Sequence, residues 1–113
     1  MVSKTTAKLA SEKEDVTLRD YELVVVISPE VGDEEEVETK VEGISRFITD
    51  KGGAISSVDQ WGKRKLAYPI RHFTEGYYVL VKFKSKPALG KQLEASLEIS
   101  EDVLRYLVVK SDS

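Results

Sequence analysis

The sequence predicts an α+β domain, a four-stranded antiparallel sheet with two helices on one face, in the order βαββαβ. Three observations carry that prediction. Short β-branched and aromatic runs recur along the chain; two intervening segments repeat apolar residues at helical spacing; and their order calls for one hairpin and two crossovers. A chain of 113 residues is long enough for one domain with a sizeable core and too short for two.

Residues 1–19, "MVSKTTAKLASEKEDVTLR", are rich in Lys, Ser, Thr and Glu and hold no apolar stripe, so a flexible leader is expected. Its acidic Glu12, Glu14 and Asp15 argue against an organelle-targeting peptide. The domain is expected over 20–110, with a short tail at 111–113. "YELVVVI", Tyr21 to Ile27, reads as a buried strand stopped by Ser28 and Pro29. Asp33 and Glu36 form a capping-box signature ahead of Val37, Val41, Ile44 and Ile48, a helix that should end at Gly52 or Gly53. A second strand runs from Ala54 to about Tyr68, with Gly62 able to host a bulge and Pro69 suited to an edge. After the polar turn "RHFTEG", "YYVLVKF" from Tyr77 to Phe83 pairs back onto it. Pro87 opens a helix with Leu89, Leu93 and Leu97 at four-residue intervals, and "VLRYLVVK", Val103 to Lys110, is the last strand.

This order is the ferredoxin-like split unit, with the first and third strands central and one sheet face left without helices. Strands one, three and four are apolar on both parities. Assigning the richer sets to the core leaves Val24, Val26, Tyr78, Leu80, Leu107 and Val109 on the open face, beside Lys82 and Arg105. Single exposed apolar residues are ordinary, but an excess recurring on three strands points to a partner-binding patch.

The net charge of −3 disfavours nucleic-acid binding by bulk electrostatics, yet residues 1–50 balance at −7 and residues 51–113 at +4. A polyanion would meet the second half first. With no cysteine and one histidine, His72, thiolate chemistry, disulfides and multi-histidine metal sites are excluded, and no cofactor is expected. No apolar run approaches the roughly 20 residues that span a bilayer, and no secretory signal is evident, so a soluble, non-secreted chain is expected.

"WGKRKLAYPI", residues 61–70, gathers the second half's cations most densely. In a regular strand Lys63 and Lys65 point one way and Arg64 the other, unless Gly62 distorts the backbone. Edge lysines also deter unwanted strand pairing. The functional reading has Lys63, Arg64, Lys65 and Arg71 contacting phosphates, with Trp61 or Tyr68 offering a flat apolar surface; the packing reading places both rings against neighbours. His72, in the turn, is read as solvated.

"YE" at Tyr21 and Glu22, "WGKRKLAYPI", "GYY" at Gly76 to Tyr78 and the terminal "VLRYLVVK" together resemble the bacterial small-subunit ribosomal protein S6 family over about residues 20–110. The resemblance implies the ferredoxin-like fold, a cytoplasmic, ribosome-associated protein without catalysis, and pairing with the small basic ribosomal protein S18. The pair would bind a junction in the central domain of small-subunit rRNA. It also implies why an acidic chain joins an RNA particle: the basic partner supplies much of the phosphate neutralisation, the open face meets that partner, and the cations of 63–71 support the RNA contact. The 19-residue leader is longer than the family's usual start.

Other classes make distinct expectations. A self-associating ferredoxin-like binding or sensor module would bury its open faces against each other. An acid-anhydride hydrolase of this fold would need an anion loop after the first strand, where "SPEVGDEEE" is instead acidic and repels anions. An independent RNA reader would place rings on the central strands, but the first strand offers Glu22, Val24 and Val26 to the open face.

Overall fold

A computed structural model describes residues 18–111; most of the expected leader and the last two residues of the tail fall outside them. The elements are β1 (Arg19–Ile27), α1 (Glu34–Asp50), β2 (Ala54–Ile70), β3 (Phe73–Ser85), α2 (Pro87–Glu98) and β4 (Val103–Lys110). All sheet pairings are antiparallel in the order β2-β3-β1-β4, so the expected ferredoxin-like arrangement forms with β3 and β1 central.

Local chemistry places the helices. Asp33 Oδ1 accepts from the backbone N–H groups of Glu35 (3.0 Å) and Glu36 (3.4 Å), and Glu36 Oε1 accepts from the Asp33 N–H (3.1 Å). The capping box thus satisfies donors that the first helical turn would otherwise leave orphaned. It also holds the Asp33 carboxyl below its ordinary range, first through hydrogen bonding with the Glu36 side chain and then through the Glu36 N–H. Val37, Val41 and Ile48 are buried on α1, and Leu89, Leu93 and Leu97 on α2, as their spacing predicts. A 3₁₀ turn over Pro29–Val31, capped by the Ser28 side chain, joins β1 to α1.

Leu23, Val25 and Ile27 of β1 and Tyr77, Val79, Val81 and Phe83 of β3 form the sheet side of the core, beneath the helices. The α2–β4 connection is tied by Tyr106, whose hydroxyl donates to Glu98 at 3.1 Å; that hydrogen bond and burial raise its pKa. Within the same connection Asp102 bridges to Lys40 of α1.

Two parts of the sheet differ from the sequence expectation. The turn expected over residues 71–76 contracts to Arg71 and His72, both with positive φ (50° and 61°), and β3 starts at Phe73. No glycine or asparagine marks this two-residue turn, so its usual sequence signal is missing. The β1–β4 register also shifts between Val26 and Ile27, so Val103 joins the core cluster at that irregularity while the adjacent Leu104 is buried as well.

Candidate partner and nucleic-acid surface

The register assembles the open face row by row. Val24 lies opposite Leu80 on one side and Leu107 on the other, so Leu80, Val24 and Leu107 form one apolar row across three strands. Such cross-strand neighbours have Cβ atoms about 4.5–5.5 Å apart and act as a continuous surface. The next row sets Lys82, Glu22 and Val109 side by side. Leu107 is 54% exposed and Val109 40%, with Val24, Tyr78 and Leu80 partly covered and Lys82 and Arg105 exposed. Seven of the eight residues expected to meet a partner therefore occupy an accessible sheet face.

Val26 is the correction. Its register keeps it on that face, opposite Tyr78 and Arg105, but it is only 3% exposed. The cause lies in the length of the β2–β3 hairpin. Ile27 opposite Tyr77 is the last β1–β3 pair, so residues 64–76 overhang the end of β1. The overhang turns past that end to reach β4: Arg71 donates to the carbonyls of Glu101 and Val103, both at 3.0 Å, and Arg105 donates to the Tyr68 hydroxyl at 2.9 Å. Val26 sits in the resulting corner with Gly76 and the bulged Leu104; a Cβ on Gly76 would lie 2.5 Å from Val26 Cγ1 and 3.6 Å from Leu104 Cδ1. Strand parity alone could not foresee this cover, because it comes from an element that outruns its neighbour.

The four cations expected to meet RNA do not converge. Gly62 takes φ 87° at a register shift between Gln60 and Gly62, the bulge its sequence position allowed, but the flanking strand still alternates. Arg64, opposite Gly76, stands on the open side, its guanidinium 6.0 Å from the Trp61 ring centroid and its Nε donating to the Trp61 carbonyl at 3.2 Å. Lys63 points to the helix side, its Nζ 5.6 Å from the Tyr77 ring, and shares a shallow depression with Asp33, Glu34 and Glu35. Its charge faces the acidic first turn of α1. Lys65, two residues on and opposite Glu75, shares the side of Lys63. Among the described residues none of these three forms a salt bridge. Arg71 stands apart in the turn, held by the two β4-side carbonyls.

The sequence reading left Trp61 and Tyr68 between packing and display, and both prove to be open-face residues. Trp61 is 44% exposed and lies nearly parallel to Tyr78, with centroids 6.3 Å apart and planes at 10°. Tyr68 is 56% exposed and carries Arg105 over its ring at 5.9 Å. Trp61 lies within the register shift between Gln60 and Gly62, the irregularity that Gly62 allowed. His72 is exposed, as expected, and stacks on Phe73.

Comparison with known proteins agrees with this architecture. The family model described as ribosomal protein S6 matches residues 20–110. The small ribosomal subunit protein bS6 of Moorella thermoacetica is 48% identical over 93 residues, 82% of this chain and 94% of that protein. The bS6 protein of Dehalococcoides mccartyi is 47% identical over 95 residues, covering 84% of this chain and 86% of its own length. The crystal structure of 30S ribosomal protein S6 from Thermotoga maritima superposes with a TM-score of 0.78 at 30% identity, over 84% of this chain and 89% of that one. Fold, chain coverage and identity agree: the chain belongs to the ribosomal protein S6 family.

Proposed function

We propose that the chain is a structural, non-catalytic constituent of the small ribosomal subunit, ribosome-associated in the cytoplasm, which binds the central domain of small-subunit rRNA jointly with ribosomal protein S18. The observation that carries the partner half of this reading is the apolar row Leu80–Val24–Leu107, left uncovered by either helix and edged by Lys82 and Arg105. A face of this kind suits a protein partner, since apolar contact at its centre and charge at its rim supply affinity and orientation respectively. The net charge of −3 makes a basic partner the complementary one.

For RNA, Arg64 is the principal cation. It is exposed, faces the same side as Trp61, and has no carboxylate bridged to it among the described residues. Lys65 supports it from the other side of the strand, and Lys63 does so less, because the α1 carboxylates Glu34 and Glu35 compete for its charge.

Two measurements test the reading. Leu80→Glu, on a partly covered surface position, should leave the circular dichroism spectrum unchanged and weaken S18 pairing by about 30-fold or more, as expected when a charge enters the centre of an interface. Normal pairing by the folded variant would reject the open-face assignment. Val26→Glu is unsuitable for this purpose, because that side chain is buried. Arg64→Ala should lower the slope of log affinity for rRNA against log salt by up to about 0.9, with Lys63→Ala changing it less. An unchanged slope for Arg64→Ala removes it from the RNA surface.

A further inference from the structure

We infer that Arg71 is a positioning residue, which locks the overhanging hairpin tip against β4 and thereby presents Arg64 and Trp61, rather than a phosphate contact in its own right. The inference rests on the RNA reading above for its functional consequence, but its structural part stands on independent observations. Residues 64–76 have no ladder partner in β1, so strand pairing on that side does not hold them. What holds them is a pair of guanidinium anchors. Arg71 reaches from the turn to the carbonyls of Glu101 and Val103 at the entry to β4, each at 3.0 Å, using both terminal nitrogens. Arg105 reaches back from β4 to Tyr68 at 2.9 Å.

The backbone at the turn fits this role. Arg71 and His72 both adopt the left-handed region, which disfavours side chains with a Cβ, so the turn conformation is upheld by contacts outside it. The two carbonyl hydrogen bonds of Arg71 are such contacts, and they match the planar fork of a guanidinium. A lysine at this position retains the positive charge but presents a single nitrogen, which cannot reproduce both bonds. Charge and fork are therefore separable by one substitution.

Arg71→Lys and Arg71→Ala should be compared with the wild-type full chain in two assays. In the free protein, amide hydrogen exchange over residues 66–75 should accelerate at least about tenfold in both variants, while core amides of β1 remain protected. With S18 and the central-domain junction of small-subunit rRNA as the probe, both variants should bind several-fold more weakly and to similar extents. Tyr68→Phe, which removes only the hydroxyl that accepts from Arg105, should accelerate exchange in the same segment to a smaller degree. The inference is overturned by unchanged exchange in both Arg71 variants, or by Arg71→Lys binding rRNA as wild type does while Arg71→Ala does not, which is the pattern of a phosphate contact. If the wild-type chain with S18 fails to bind the rRNA, the functional reading fails, and the exchange assay alone decides whether Arg71 locks the tip.

Discussion

An alanine at position 76 would bring its Cβ to 2.5 Å from Val26 Cγ1, a distance that demands movement in a corner already closed by Leu104 and the hairpin overhang. Gly76→Ala should therefore destabilise the fold by about 1–3 kcal/mol, the usual range for overpacking, as read from the urea midpoint. Combining it with Val26→Ala should recover part of that loss, because the two changes share one contact; strict additivity would refute the packing account. Asp33 makes a second prediction at this scale. Its folded pKa lies below the ordinary 3.8 through its hydrogen bonds with Glu36. A depressed carboxylate stabilises the fold fully above its unfolded pKa and ceases to do so as pH falls from there through the folded value. Asp33→Ala should then be less stable than wild type at about pH 7, and the gap should narrow by about pH 2.5; a gap independent of pH would show that capping charge is not the cause.

At the scale of elements, the helices and the hairpin were legible to different degrees, and for physical reasons. α1 announced itself through Asp33, Glu36 and the stripe Val37, Val41, Ile48, all of which act within a few residues of one another. α2 did the same through Pro87 and its three leucines. Leu93 is 1% exposed at the centre of that stripe, so Leu93→Ala should cost about 2–5 kcal/mol in urea unfolding; a cost below about 1 kcal/mol would mean that α2 packs more loosely than its burial implies. The hairpin tip was not legible, because its position depends on contacts between residues 30 or more apart, such as Arg71 with Glu101 and Val103. Alternation correctly separated Arg64 from Lys63 and Lys65, and it correctly placed Val24, Leu80, Leu107 and Val109 outward. It failed at Val26, which the overhang covers, and at Val103, which the bulge brings into the core.

For the whole molecule, the decisive property is a sheet with one face roofed by two helices and the other bare across its central strands. The roofed face holds the buried core; on the proposed reading the bare face meets a partner, and two kinds of partner compete for it. The open face mixes Glu22 and Asp59 with Lys82 and Arg105, while the chain as a whole carries −3; a second copy adds a like net charge, whereas a basic protein brings the opposite one. Charge therefore favours the heterologous partner over self-association. The chain alone should run as a monomer by light scattering up to about 100 μM, and addition of S18 should convert it to a one-to-one complex whose association rate falls as salt rises. Leu107→Glu, at a side chain 54% exposed, should abolish the complex while leaving the monomer folded. A concentration-dependent dimer that Leu107→Glu dissolves would instead assign the open face to self-association, and S18 would then have to bind elsewhere on the molecule or not at all.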